Sequence, residues 1–170
     1  MAKAQAFPTL LSVTCFLRNE TDILLMQRAA NRTHEPSKWS GVGGKLHGSE
    51  TVLDAAMRET QEETGQSIPA EHFRFRGTLI MDGYPEGRWV VSLFEVWTDD
   101  RDVVQTAEGQ LHWVPIDEVR SKDLMDDIHH YIEHMIHETE PIFGYFRFDE
   151  QAKVVEQRLT SAETAPVVVG

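Results

Sequence analysis

Apolar positions along this chain come in two patterns, short runs rich in apolar and β-branched residues that mark strands and a three-to-four-residue spacing that marks helices. Thr9 to Leu17 is rich in apolar and β-branched residues, and Ile23 to Gln27 repeats that character after the polar turn Arg18-Asn19-Glu20-Thr21-Asp22. The pair predicts a hairpin whose first strand lies in the centre of a sheet. Phe73 to Asp82 and Arg88 to Trp97 read as two more strands across the connection Gly83-Tyr84-Pro85-Glu86-Gly87. Glu108 to Pro115 reads as a short strand leading into a helical turn from Ile116 to Arg120, and a last hairpin joins Ile142–Phe148 to Lys153–Leu159. Helical spacing occurs twice. Leu124, Ile128, Ile132 and Met135 predict an amphipathic helix from about Asp126 to Glu138, opened by two aspartates that suit a helix N-terminus.

The other helix, Val52 to Thr64, has its ends written in the sequence. Thr51 is a good N-cap, Asp54 three residues on makes an acidic capping box, and Gly65 supplies the stop. At about 100° per residue, Val52, Ala55, Ala56, Glu59, Glu62 and Glu63 share one sector, so the stripe begins apolar and ends acidic. The apolar faces of strands 73–82 and 88–97 are expected beneath it. Three carboxylates on a core-directed stripe repel one another and lose hydration unless a cation neutralises them. Mg²⁺ and Mn²⁺ prefer oxygen ligands and would do so. A solvated acidic helix end is the bland alternative, although Glu near a C-terminus opposes the helix dipole. Periodicity alone does not separate the two.

Composition narrows the classes. A chain of 170 residues, 41% hydrophobic and 26% charged, suits one globular domain over residues 1–160 followed by a flexible tail at 161–170. The net charge of −12 argues against a polynucleotide-binding surface, since phosphate-tracking proteins rely on clustered Lys and Arg. A metal-bound mononucleotide stays compatible. The single cysteine, Cys15, excludes an intrachain disulfide and sits in an apolar run as a core residue. The amino terminus makes a poor secretory signal and no run approaches a membrane span, so a cytoplasmic location is expected by default.

Between the predicted elements, Arg28 to Lys38 is polar and carries a proline, which predicts a mobile loop able to bring Arg28 and Arg32 to phosphates. It runs into Trp39-Ser40-Gly41-Val42-Gly43-Gly44, where glycines let the backbone approach a ligand and a free carbonyl could complete a metal shell. A plain tight turn is the other reading; the acidic helix that follows favours the functional one. His129, His130, His134 and His137 share a helix without an HExxH arrangement, so a zinc site is not expected there.

The spacing Gly44, Glu50, Arg58-Glu59, Glu62-Glu63, Gly65 resembles the Nudix box, the signature of hydrolases of nucleoside diphosphates linked to another moiety. Thr60 and Gln66 stand where that family usually has aliphatic residues. From Thr9 to about Leu159 the chain is similar to MutT-type oxidised purine nucleoside triphosphate diphosphatases, with EGQLHWVPIDEV, KDLMDD and GYFRF carrying the likeness. The resemblance implies an α/β/α sandwich around a central mixed β-sheet. It also implies Mg²⁺, or Mn²⁺, on Glu59, Glu62 and Glu63, with the Gly43 or Gly44 carbonyl and Glu108. A glutamate not fully occupied by metal, Glu62, Glu63 or Glu108, would be the general base, and Arg58 would hold a glutamate in place. Asp126 and Asp127 inherit the hydrogen bonds to an oxidised base, and two close carboxylates can hold one proton between them. Arg28, Trp39 and Lys45 complete the implied substrate set. Ser40 replaces an asparagine of the animal enzymes, and Leu124 replaces an aromatic that stacks on the base. The implied reaction is metal-dependent hydrolysis of 8-oxo-dGTP or related triphosphates to monophosphate and pyrophosphate. Other Nudix substrates, such as an ADP-sugar or a dinucleoside polyphosphate, and a catalytically inactive nucleotide sensor remain the alternatives.

Overall fold

A computed structural model describes residues 8–162. Its strands are β1 (Thr9–Arg18), β2 (Asp22–Arg28), β3 (Trp39–Ser40), β4 (Phe73–Tyr84), β5 (Gly87–Trp97), β6 (Gly109–Pro115), β7 (Ile142–Phe148) and β8 (Val154–Ser161). Its α-helices are α1 (Val52–Thr64) and α2 (Ile128–His137), with short 3₁₀ turns at Ala70–His72 and Ile116–Ser121. Ser161, expected in the tail, closes β8, and the rest of that tail beyond residue 162 lies outside the described residues.

The strands form one mixed sheet in the order β3-β2-β1-β5-β4-β7-β8, with β6 also pairing β2. β1 and β5 run parallel over ten residue pairs, as do β4 and β7 over a shorter stretch, and the other pairs are antiparallel. The expected β1–β2 hairpin pairs only beside its turn, Arg18 opposite Ile23. Beyond that the strands diverge, and the chain from Trp39 to Lys45 fills the gap. Ser40 pairs with Met26 of β2, while Val42 and Lys45 bridge to Cys15 and Ser12 of β1. This wedge sets the glycine turn against the sheet.

Alternation along β1 sends Val13, Cys15 and Leu17 to one face and Phe16 to the other. On the first face they pack under Ala55 and Ala56 of α1; on the second, Phe16 meets Ile128, Tyr131 and Ile132 of α2. The result is the expected α/β/α sandwich. Beneath α1, β5 contributes Phe94 and Val96 and β4 contributes Phe73, but Leu79 and Met81 of β4 and Val91 and Leu93 of β5 point to α2, so the expectation that the apolar faces of both strands lie under α1 holds for part of each strand. Cys15 is fully buried, and desolvation pushes its thiol up to about 12, so it is inert packing.

The caps of α1 are those read from the sequence. The Thr51 hydroxyl accepts from the Asp54 N–H at 3.2 Å, and Asp54 accepts in return from the Thr51 N–H at 2.9 Å. Gly65 turns left-handed at φ 81° and its N–H closes on Gln61 O. Gln66, just past the helix, is buried, its amide donating to Asp100 O and Asp102 O. The C-terminus of α2 is closed by tertiary contacts instead. Arg76, wholly buried, donates to Met135 O, His134 O and Glu138 O, while Arg18 donates to Ile136 O. Both arginines pair with buried Glu95 at 3.2 Å.

Candidate active site

A cleft of about 480 Å³ opens between the glycine turn, α1, the loop after β2 and the start of α2. At its α1 end the helix delivers Glu59 and Glu63, both buried, one turn apart on the line of Ala55. Gly43 and Gly44 lie against them. The Gly43 N–H donates to Glu63 Oε2 at 3.0 Å. Gly43 sits at φ 152°, where a Cβ would come within 2.1 Å of Val13 O, and a Cβ on Gly44 would reach within 2.4 Å of Glu59 Oε1. Only glycine permits this approach. Burial, then the negative charges of Glu59 and Glu108, push Glu63 up to about 8 against the pull of the Gly43 N–H.

Glu62 departs from the expected inward stripe. Its side chain is 57% exposed and pairs with Arg58 Nη1 at 3.2 Å. The buried face of α1 is centred on Ala56, Glu59, Thr60, Glu63 and Thr64, so the two threonines, polar by composition, shift it away from Glu62. Val52, at the helix tip, is exposed as well. Arg58 stands outside the cleft and organises it. Its Nε and Nη2 grip the Glu50 carboxylate at 2.6 and 3.0 Å, Nη1 reaches Glu59 at 2.7 Å, and Nη2 donates to Lys45 O. That bidentate grip holds Glu50 down at about 2.

Glu108 reaches the cleft from the loop before β6, half-exposed and paired with Arg32 at 2.8 Å. The Gly44 carbonyl already accepts the Val13 N–H at 2.9 Å, leaving one lone pair for any other partner. Arg28, Ser40 and Lys45 line the cleft. Arg28 donates to His34 O, and Lys45 lies 5.1 Å from the Trp89 ring centroid. The loop expected to be mobile is tied down by Arg28, by a Lys38–Asp123 ion pair and by Glu35, whose Oε1 accepts the Asp126 N–H at 3.0 Å.

Three expected substrate contacts do not reach the cleft. Trp39 donates its N–H to Asp123 O and packs on His112, pinning the 123–125 segment instead of facing a ligand. Leu124 is fully buried in the α2-side core, and its neighbour Met125 lines the cleft in its place. Asp126 turns away, accepting from Lys153 Nζ and the Val154 N–H to anchor the last hairpin. Asp127 alone of the pair faces in. It is buried, Oδ2 accepts the Tyr131 hydroxyl at 3.2 Å, and burial followed by the charge of Glu35 pushes it up to about 7. Sequence reasoning missed Tyr84, Trp89 and Tyr131 as cleft walls, because strand and helix periodicity mark them only as packing residues.

An α/β/α sandwich with a glycine turn wedged against inward glutamates is the architecture of the MutT class of folds. The chain belongs to the NUDIX domain family, whose profile matches residues 8–135. It is 29% identical over 133 residues to an oxidized purine nucleoside triphosphate hydrolase of Danio rerio, covering 74% of this chain and 80% of that one. It is 28% identical over 123 residues to nucleoside triphosphatase NudI of Klebsiella pneumoniae, covering 66% and 87%. The crystal structure of a MutT protein from Bacillus halodurans matches with a TM-score of 0.78 at 23% identity, over 88% of this chain and 97% of that one.

Proposed function

We propose that this chain hydrolyses purine nucleoside triphosphates, oxidised ones such as 8-oxo-dGTP included, to the monophosphate and pyrophosphate. The observation that carries this reading is one cleft with desolvated glutamates beside a glycine turn at one end and the buried acid Asp127 at the other. Triphosphate hydrolysis is also what the names of the zebrafish and Klebsiella relatives state of those proteins. A role in sanitising the nucleotide pool, in the cytoplasm, goes with the reading.

Nudix hydrolases generally use divalent metal ions. The donor set suits a hard cation: Glu59 and Glu63 are buried acids, and Glu63 has no cationic hydrogen-bond partner among the described residues. These two, with Glu62 and Glu108 from the rim and the Gly43 or Gly44 carbonyl, would hold Mg²⁺ or Mn²⁺. No three His, Cys, Asp or Glu side chains among the described residues form a ready cage. Substrate oxygens and waters would therefore complete the shell, as is usual for Mg²⁺. Bound there, the ion supplies charge neutralisation at the phosphates and orients a water for in-line attack.

The chain's own residues do the rest. Arg58 positions Glu59 and Glu62, and Arg28, Arg32 and Lys45 meet phosphate charge. One carboxylate, Glu62, Glu63 or Glu108, takes the proton of the attacking water. The test is a panel of 8-oxo-dGTP, dGTP, other triphosphates, an ADP-sugar and a dinucleoside polyphosphate, run with Mg²⁺ and with Mn²⁺ and with products identified. Monophosphate plus pyrophosphate from the purine triphosphates is expected. A higher kcat/KM for the ADP-sugar or dinucleotide, or no metal-dependent turnover at all, sinks the proposal.

A further inference from the structure

Behind the Asp127 end of the cleft lies an acid that the family signature does not account for. Glu35 lies in the loop between β2 and β3, nine-tenths buried although it is a glutamate, with a left-handed backbone at φ 42°. A non-glycine residue rarely adopts that conformation without something fixing it there. What fixes it is the start of α2: Glu35 Oε1 accepts the Asp126 N–H at 3.0 Å. Its other oxygen, Oε2, is buried with no hydrogen-bond partner among the described residues, and the same is true of Asp127 Oδ1. Asp127 stands at the N-cap of α2 with helical backbone angles and makes no capping hydrogen bond. Each acid thus leaves one desolvated oxygen without a partner, and Asp127 lines the cleft.

We infer that Glu35, not Asp126, is the second acid at this end: it shares a proton with Asp127 and so sets the donor and acceptor face that Asp127 presents to a base. Two ionised carboxylates this desolvated, with the charge of one felt at the other, are in conflict, and one proton held by the pair removes it. With the proton resident on Asp127 and the charge on Glu35, the neutral Asp127 carboxyl has an O–H donor and a C=O acceptor to turn toward a base. This complements a base edge carrying an acceptor next to a donor, as guanine does with O6 and N1–H and its oxidised form with C8=O and N7–H. Glu35 does not line the cleft, so it acts through Asp127 as a positioning residue, and its role in base choice rests on the purine reading above.

The charge of Glu35 is felt at Asp127, and that of Asp126 at Glu35. Burial and then the charge of Glu35 raise Asp127, opposed by the Tyr131 hydroxyl and the Asp127 and Ile128 amides. Burial raises Glu35, helped by the charge of Asp126 and opposed by the Asp126 N–H and by Arg28 and Lys38. Tyr84, from β4, also feels both acids.

The test is a carboxyl NMR titration of the free protein, wild type against Glu35→Gln, Glu35→Asp and Asp126→Asn. Glu35→Gln keeps the acceptor for the Asp126 N–H, and Glu35→Asp keeps an acid in a residue type that tolerates positive φ. Two coupled steps are expected for wild type and for Asp126→Asn, with Glu35→Asp restoring them. Glu35→Gln should leave one Asp127 step, lower by about one pH unit, the scale set by removing a nearby like charge. The pH profile of the 8-oxo-dGTP to dGTP kcat/KM ratio should move the same way. An Asp127 midpoint unmoved in Glu35→Gln overturns the pairing. A moved midpoint with an unmoved ratio overturns its role in base choice. Pyrophosphate release by wild type in the same assays reports separately on the hydrolysis, and the titration is read whatever the substrate is.

Discussion

Replacing Glu63 by glutamine should stabilise the metal-free protein while disabling the enzyme. In the folded chain Glu63 is buried and its pKa stands at about 8 against an ordinary 4.5. Because the folded value lies above the unfolded one, the folded state is penalised as pH rises through about 4.5, and the full penalty is reached above about 8. At about 1.4 kcal/mol per pH unit this amounts to about 5 kcal/mol, an upper bound. Water and counter-ions at the cleft mouth reduce it to about 2–4 kcal/mol. A glutamine at this position keeps an acceptor for the Gly43 N–H and avoids the charge. In chelator at pH about 8, Glu63→Gln should therefore melt about 4–16 °C above wild type, at about 2–4 °C per kcal/mol for a chain of this size. The two should converge near pH 4.5, where Glu63 is largely protonated in the folded state and half-protonated in the unfolded one. Adding Mg²⁺ should raise the wild-type Tm and leave the variant nearly unmoved. Thermal unfolding followed by circular dichroism across that pH range decides it, and equal melting of the two proteins in chelator at pH about 8 refutes the desolvation argument.

Glu63→Gln should also lower kcat with Mg²⁺ by about 10²–10⁴, read by pyrophosphate release. Gly44→Ala places a methyl where the Glu59 carboxylate lies, within 2.4 Å of Oε1, and should cost about 10²-fold in kcat/KM while far-UV circular dichroism stays unchanged. Arg76→Met takes the donor from three carbonyls at the end of α2 and leaves Glu95 with Arg18 as its buried partner, so a loss of about 2–4 kcal/mol in urea unfolding is expected. Asp127→Asn should change the ratio of 8-oxo-dGTP to dGTP hydrolysis more than it changes metal affinity. Asp126→Asn should instead loosen the last hairpin by about 1 kcal/mol, since its partners are Lys153 and Val154.

Much of this protein is decided locally, and there the sequence suffices. The bounds of α1 follow from Thr51, Asp54 and Gly65 because a cap is made by residues three or four apart. The strands β1, β2 and β5 follow from short runs of apolar and β-branched residues because both of their faces are covered. Glu59 and Glu63 are legible through their spacing from Ala55. What the tertiary structure alone decides is which of several equivalent side chains a distant element can reach. Asp126 and Asp127 are adjacent and chemically alike, yet one is drawn off by the β7–β8 hairpin and the other is walled into the cleft by Tyr131. Glu35 sits in a polar loop with no period, and its burial depends on an amide ninety-one residues away. The closure of α2 by Arg18 and Arg76 is likewise written in no local pattern. Short-range hydrogen bonds and periodicity are properties of a segment; desolvation is a property of whatever the rest of the chain packs around it.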